Sequence, residues 1–404
     1  MSRSLTKRVQ RRELFGVTQL KPTLESSRVE SLQLSKLCQI SCSRHNGSAF
    51  SLDIESSEQR YLLSGGSNGS LCIFDLEPCS SSPKVDYPSI CTLARGSKHA
   101  HKHMVVCCQW YPTDSGLFST SSTDQSLKIW DTNRLKPVDT FTFQKPISHH
   151  HWSSCKNSLI AVASGTDAVR LVDLKSGSLL QQLKGHSALA NVVRWSPRNQ
   201  HMVVSGGYDG QLLVWDVRKG KTALASLRAA CLKRTRNANT ESLVGRAHGG
   251  AVNGLKFTAD GLFLLSLGTE GVLRVWDVRT LVERKNNSFE FSSTVSFPRK
   301  LVYFDLAFEA AKTKVFVPTE DDIEVVQPFL CDRKCSRTLR GHYNPVNSVV
   351  FRSSTQQLIS AANDKTILVW VPKMDQNVLY SEQLAGGFDS LQKLTQDSWS
   401  DEED

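Results

Sequence analysis

Two trios of side chains in this 404-residue chain have the residue types that a hydrolase uses: His186, Ser205 and Asp209, and again His342, Ser360 and Asp364. A serine next to a histidine that is oriented by a carboxylate can act as a nucleophile. The spacing points to a different job. In both sets a tryptophan stands ten residues after the serine and six after the aspartate, at Trp215 and Trp370. Neither set carries a G-x-S-x-G elbow. A trio that recurs with its own tryptophan fits one buried hydrogen-bond chain: indole N–H to hydroxyl, hydroxyl to imidazole, imidazole to carboxylate. Partial copies lie at Ser64, Asn68 and Phe74, at Thr120, Asp124 and Trp130, and at Ser266, Glu270 and Trp276, with His45, His103 and His248 upstream.

Other residues invite metal chemistry. His99, His101 and His103 cluster, as do His149, His150 and His151; Cys38-x₃-Cys42 and Cys331-x₃-Cys335 are spaced pairs. Zinc sites normally show tight Cys/His pairs on two arms. Here His103 has a place in the repeat and the other histidines are expected in loops, so no metal and no cofactor is expected. The glycine stretches SGGSNG and SGGYDG lack a following Lys-Ser/Thr and helix, so they are hairpin turns rather than phosphate cradles.

The elements that position these residues follow from the repeat. The anchors Phe74-Asp75, Trp130-Asp131, Val172-Asp173, Trp215-Asp216 and Trp276-Asp277 are 56, 42, 43 and 61 residues apart, and Trp370 lies 94 beyond Trp276. The last interval holds two units. Its missing repeat centres on residues 300–330, where LVYFDLAF, KVFVP and DIEVV are strand candidates. Each unit has short β-branched runs bounded by turns such as Asn68-Gly69, Asp209-Gly210 and Glu270-Gly271. The fold class predicted is all-β: seven four-stranded sheets stacked into a ring, which buries sheet faces that one unit alone would expose.

The seventh unit lacks an outer strand after Trp370. The period-two pattern of Leu32, Leu34, Cys38 and Ile40 within residues 31–40 supplies it and closes the ring. The domain reading is therefore 1–30 as an N-terminal extension, 31–372 as the ring and 373–404 as an acidic tail. The extension, MSRSLTKRVQRRELF onward, carries Leu5, Val9, Leu14 and Phe15 as its apolar residues. A short amphipathic docking helix, a disordered basic arm and a transit peptide all fit it, and KRVQRR also matches a nuclear import signal.

Net charge is +10; residues 373–404 carry −6, which leaves +16 on the rest. Such a body suits proximity to nucleic acid or acidic proteins. The loop at 218–246 holds eight basic residues but no interleaved aromatic, so a solvated loop fits it better than a nucleic-acid platform. Trp399, alone in a polar tail beside Ser398 and Ser400, fits a short segment that orders on binding, and these serines and Ser390 are candidate phosphorylation sites. Eleven cysteines without a leader-type apolar stretch fit a reducing compartment, with Cys107-Cys108 as strand filler. No run of 18 apolar residues is present, so no membrane contact is expected.

One exposed chemistry remains. The pentapeptide VWDVR occurs at 214–218 and at 275–279, whereas Trp130-Asp131 is followed by Thr132-Asn133. Arg218 and Arg279 would each stand just after the third strand of neighbouring units. A guanidinium fork there can bond a partner's carboxylates or carbonyls; it can equally pair with its own unit's acid.

These repeats resemble WD-repeat propellers. The stretches RYLLSGGSNGSLCIFDLE, QWYPTDSGLFSTSSTDQSLKIWDTN, the SHHH at 148–151, GHYNPVNSVVF and the terminal DSWSDEED resemble in particular the Cockayne syndrome group A family of WD-repeat substrate receptors, from about residue 45 to the end. The resemblance implies a non-catalytic substrate-recognition subunit of a cullin–RING E3 ubiquitin ligase, nuclear, acting in transcription-coupled nucleotide excision repair. It implies the damage-specific DNA-binding protein 1 adaptor, the Cockayne syndrome group B ATPase and RNA polymerase II as partners. It also implies adaptor binding through the Trp-Asp-x-Arg positions Asp216, Arg218, Asp277 and Arg279, aided by the N-terminal Leu5, Val9, Leu14 and Phe15. The rival expectation is a chromatin- or histone-binding scaffold linked to no ligase, since fold alone does not separate the two.

Overall fold

The computed structural model describes residues 27–35, 38–40, 47–77, 85–153, 158–219, 222–229, 245–291, 302–307, 313–320, 322–329, 337–373 and 375. Leu5, Val9, Leu14, Phe15, His45, Cys42, Cys331, Cys335, most of the basic loop and the acidic tail lie outside them.

Seven antiparallel sheets follow one another along the chain, each meandering outward through strands a to d. Blade 1 is Ala49–Ile54, Tyr61–Gly66, Leu71–Asp75 and Ser89–Leu93; blade 2 is Val105–Trp110, Leu117–Ser122, Ser126–Asp131 and Lys136–Thr142. Blade 3 is His149–Trp152, Leu159–Ala163, Ala168–Asp173 and Ser178–Lys184; blade 4 is Ala190–Trp195, Met202–Gly207, Leu212–Asp216 and Ala225–Leu227. Blade 5 has Val252–Phe257, Phe263–Gly268 and Val272–Asp277, then a broken outer strand of Val282–Glu283 and Phe289–Glu290. Blade 6, which lacks the repeat's signature residues, is Asp305–Ala307, Lys314–Pro318, Ile323–Val326 and Arg337–Leu339. Blade 7 has Val346–Arg352, Gln357–Ala362 and Ile367–Pro372 from the C-terminal side. Its outer edge comes from the other end of the chain, with Leu32 opposite Pro372 and Leu34 opposite Trp370.

That outer edge departs from a single strand over 31–40. Leu32–Leu34 and Cys38–Ile40 are separate pieces, and the second meets blade 7 at one pair, Ile40 opposite Ile367. Val85–Tyr87, from the excursion between strands c and d of blade 1, then pairs with Cys38–Ile40 in parallel. Leu34 does not share the inward face of Leu32: it is 37 % exposed while Leu32 is fully buried. An edge strand this short follows the twist of its neighbour for only three residues, so the period-two pattern does not carry through.

Polar links along strand a join neighbouring blades, and six of them lie at one level. Asp53 accepts the Trp110 N–H (2.7 Å), Gln109 that of Trp152 (3.3 Å), and His151 Nδ1 that of Trp195 (3.3 Å). Arg194 donates to the Leu255 carbonyl (3.0 Å), Lys256 pairs with Asp305 (2.9 Å), and Asp305 accepts the Phe351 N–H (2.9 Å). Blade 7 joins blade 1 nearer the strand's start, where Asn347 donates to Ala49 O (3.2 Å) and the Ser348 hydroxyl accepts the Leu52 N–H (3.2 Å). These bonds satisfy backbone groups that a sheet edge facing the central channel would leave open.

Candidate functional site

In blade 4 the Trp215 Nε1–H donates to Ser205 Oγ (2.8 Å), Ser205 lies 2.7 Å from His186 Nε2, and His186 Nδ1 is 3.2 Å from Asp209. Blade 7 repeats this with Trp370, Ser360, His342 and Asp364 at 2.9, 2.8 and 2.8 Å. Blade 5 completes it with a longer acid: Trp276 to Ser266 (2.8 Å), Ser266 to His248 (2.7 Å), and His248 to Glu270 (2.6 Å). Glutamate is thus a working substitute in this place.

Blade 2 corrects the sequence reading. The imidazole in its chain is His101, 2.7 Å from Thr120 and 2.9 Å from Asp124, and not His103, which is exposed. The signal was present: histidine precedes the hydroxyl by 19, 18 and 18 residues in blades 4, 5 and 7, and by 19 for His101. Each carboxylate also accepts backbone N–H groups at the ends of the blade, as Asp209 does from Ser187 (2.8 Å) and Gln211 (3.0 Å). Burial pushes the Asp209 carboxyl up, but the His186 contact outweighs it and the pKa falls to about 2. The serines are fully buried and already engaged, so no substrate reaches them.

The SHHH segment also differs from the loop expected for it. His149, His150 and His151 form the inner strand of blade 3, each on a separate task. His150 bridges to blade 2 through Ser119 (2.7 Å) and Ser121 (2.8 Å), and His151 holds the Trp195 N–H of blade 4. His149 stacks on Tyr303 with ring centroids 5.7 Å apart. Burial is the leading cause that drives all three pKa values down, His150 to about 3, with Arg194 adding to it. Among the described residues no three His, Cys, Asp or Glu side chains are grouped as a metal would need.

Tyr303 went unnoticed in the sequence because blade 6 has no signature. It lies just before that blade's inner strand and reaches across the channel. Its hydroxyl donates to Val106 O of blade 2 (2.7 Å), its ring meets Phe50 of blade 1 edge-on (6.5 Å), and its backbone bridges to Ser348 of blade 7. Four blades besides its own therefore hold this one residue, by its ring, its hydroxyl and its backbone. Phe50 and Val106 are presented by β-bulges in strand a, seen as register shifts between Ala49 and Ser51 and between Val105 and Cys107. A bulge re-aims a side chain in this way, and no local residue pattern announces it.

Two surfaces remain open, one at each end of the ring. The C-terminal ends of strand c emerge on one face in every blade, because the same antiparallel meander repeats. Arg218 and Arg279 follow strand c of blades 4 and 5 there, both exposed. They are not equivalent. Arg218 folds back on Asp216 with Nε–Oδ1 at 3.1 Å and Nη2–Oδ2 at 2.9 Å, and this hydrogen bond is the main reason that the Asp216 pKa falls to about 2. Asp277 instead caps its turn, accepting the N–H groups of Arg279 (2.9 Å) and Thr280 (3.3 Å). Among the described residues the Arg279 guanidinium has no hydrogen-bond partner.

On the opposite face the d–a links and b–c turns of blades 2 to 4 surround a cavity of ≈ 540 Å³. Met104, Val106, Ile147, Leu189 and Tyr208 line it, with Lys145 the one charged residue among its described walls.

Seven radial sheets, four of them tied by a tryptophan–hydroxyl–histidine–acid chain, define a propeller that presents faces for protein contact. The chain belongs to the WD-repeat propeller family. The family described as WD domain, G-beta repeat matches residues 93–131 and 333–371, and the Nucleolar protein 10-like N-terminal domain matches 149–296. WD repeat-containing protein ATCSA-1 of Arabidopsis thaliana is 30% identical, over 86% of this chain and 90% of its own length. Radiation-sensitive protein 28 of Saccharomyces cerevisiae is 26% identical over 44% of this chain and 38% of its own. Histone acetyltransferase type B subunit 2 of Candida glabrata is 23% identical over 43% of this chain and 40% of its own.

Proposed function

We propose that the chain is the substrate-recognition subunit of a cullin–RING E3 ubiquitin ligase acting in transcription-coupled nucleotide excision repair in the nucleus. It binds the damage-specific DNA-binding protein 1 adaptor through the c–d face of blades 4 and 5 and works with the Cockayne syndrome group B ATPase and RNA polymerase II. The observation that carries this is Arg279: an exposed fork with no hydrogen-bond partner among the described residues, following the same strand as Arg218 does on the neighbouring blade. The family resemblance of the sequence and the likeness to ATCSA-1 along most of both chains support the same reading.

Asp216 and Asp277 hold their turns, and so set where each arginine leaves the ring. The segment 1–30, with Leu5, Val9, Leu14 and Phe15, adds apolar contact to an interface that two arginines alone would leave too small. The chain needs no catalytic group for this task. It holds a target while the adaptor brings the conjugating machinery, and proximity raises the effective concentration of target lysines.

The test is capture of the purified adaptor by wild type against Arg279→Ala, Arg218→Ala and Arg218→Glu/Arg279→Glu. An arginine anchor removed from an interface costs about 2 kcal/mol, so Arg279→Ala should weaken capture about 30-fold and the double charge reversal should abolish it. Arg218→Ala should cost less, because its fork must first leave Asp216. Equal recovery by the double variant refutes the assignment. Histone capture without adaptor capture turns the reading to a chromatin scaffold.

A further inference from the structure

The cavity on the face opposite the arginines and one unused residue of the sequence fit each other. Leu189 and Tyr208, at the cavity's mouth, are 48% and 50% exposed. Below the mouth, Phe50 and Val106 belong both to the cavity wall and to the grip on Tyr303. Tyr303 thus backs this part of the wall, and most of the described lining is apolar. The cavity volume falls within the roughly 300–1,000 Å³ of pockets that enclose small-molecule-sized groups, enough for an aromatic side chain and its neighbours. Lys145 adds a positive charge to the wall.

Seven of the eight tryptophans are accounted for: Trp110, Trp130, Trp152, Trp195, Trp215, Trp276 and Trp370 are all buried in blades. The eighth is Trp399, in the sequence Asp397-Ser398-Trp399-Ser400-Asp401. A bulky apolar group flanked by carboxylates is the ligand chemistry that an apolar pocket with a lysine at its wall selects. The charge balance favours the match at long range, −6 on residues 373–404 against +16 on the rest.

Chain length permits it. Strand c of blade 7 ends at Pro372 on the arginine face, and Trp399 comes 24 residues after Asp375. Twenty-four residues span up to ~80 Å when extended and ~27 Å as a random coil. The ring is about 20 Å deep, given strands of six residues at ~3.3 Å each.

We propose that Trp399 and its flanking carboxylates occupy the Leu189–Tyr208 cavity in cis, so that the chain's own tail covers the face opposite its arginine pair. A tethered segment is present at an effective concentration of about 1 mM, so even an intrinsic Kd of ~0.1 mM keeps the cavity about nine-tenths closed. A target that uses this cavity must displace the tail. That last consequence rests on the receptor reading; the docking itself does not.

The test uses the full chain labelled with fluorotryptophan and observed by fluorine NMR, with Trp399→Phe to assign the Trp399 signal and a peptide of residues 392–404 as the free reference. The Trp399 signal should lie away from that of the peptide, independent of protein concentration, and Leu189→Asp/Tyr208→Ser should return it to the peptide position. Both cavity residues are half-exposed, so the folded ring tolerates the change, and the seven buried signals report that directly. In a companion titration the peptide should bind full-length Trp399→Ala about tenfold more tightly than wild type, where the tail competes. A wild-type signal coincident with the peptide's, or one that the cavity variant does not move, overturns the proposal. Dependence on protein concentration also overturns it, since that places a second copy's tail in the pocket. Arg279→Glu should leave the fluorine spectrum unchanged, so adaptor binding and tail docking fail separately.

Discussion

Acidification should unfold this ring well above the pH that a typical carboxylate-limited protein tolerates. His101, His149, His150, His151 and His342 all have pKa values lowered by burial. The unfolded chain takes up a proton at each near pH 6.5 while the native state resists, so their contribution is intact above 6.5 and is lost as pH falls below it. Each such site costs up to ~1.4 kcal/mol per pH unit. His149 and His150 are enclosed completely, His150 holding down to about 3. His150 alone should remove ~1.6 kcal/mol between pH 6.5 and 5, with His149 adding in the same direction, out of a total that is typically ~5–15 kcal/mol. His151 adds less, being half-buried, though its Nδ1 acceptor role toward Trp195 is lost on protonation. Asp53 works in the other direction: burial raises its pKa to about 6, so it resists ionisation in the folded ring and returns part of the loss between pH 6 and 4. The assay is urea unfolding at half-unit steps from pH 7.5 to 4.5. The slope of stability against pH should correspond to an uptake of at least two protons on unfolding near pH 5.5. His149→Leu should lower that uptake by one, since its nitrogens have no partner to lose and its ring only packs on Tyr303. A flat profile to pH 5, or a His149→Leu slope equal to wild type, refutes the reasoning.

Two further outcomes follow from the closing edge and the turns. Leu32→Asp places a carboxylate at a fully buried site between blades 6 and 7; it should cost more than ~4 kcal/mol and speed hydrogen exchange selectively along Ile367–Pro372, and uniform protection there would show that the first strand does not close the ring. Lys365 adopts φ +64° in the b–c turn of blade 7, where blade 4 has Gly210 at φ +72°; Lys365→Gly relieves a ~1–2 kcal/mol penalty against ~0.5–1 kcal/mol of lost chain restriction, so the thermal midpoint should rise by a degree or more, and a fall would contradict the strain.

The blades were legible in the sequence for a physical reason. Each buried tryptophan–hydroxyl–histidine–acid chain fixes residue types at fixed offsets, so a signature survives wherever the chain is complete. Glu270 shows that the chain tolerates an extra methylene, and His101 that the histidine's distance from the hydroxyl matters more than its distance from other histidines. Blade 6 could be inferred only from the size of the gap between Trp276 and Trp370. For the same reason its most consequential residue, Tyr303, carried no signal: its partners Phe50, Val106 and His149 lie 150 to 250 residues away in sequence and meet it only on the ring axis. The SHHH strand was obscure because three imidazoles have no β-branched or alternating pattern, although Ser119, Ser121 and the Trp195 N–H pair His150 and His151 one bond at a time. The arginines were legible as a repeated pentapeptide. Their inequality was not, because Arg218 folding onto Asp216 and Arg279 standing clear of Asp277 depend on turn geometry rather than on sequence.

Tyr303 also determines how the two faces relate. In an open-channel propeller, a ligand entering one end could reach groups at the other. Here a tyrosine stands between the blades, its hydroxyl, ring and backbone tied to blades 1, 2, 3 and 7. The polar level of Asp53, Gln109, His151, Arg194, Lys256 and Asp305 lies towards the arginine face, and the apolar cavity lies towards the other. The polar level has the inter-blade links of a rigid frame and the cavity has the half-exposed side chains of a binding surface. Coupling between the faces through the channel would require the Tyr303 contacts to break, at the cost of a buried hydroxyl bond and the ring contacts with Phe50 and His149. The ring therefore acts as a rigid spacer. Whatever grips Arg279 and whatever enters the Leu189–Tyr208 cavity are held at a fixed separation, and the acidic tail is long enough to pass around the rim from one face to the other.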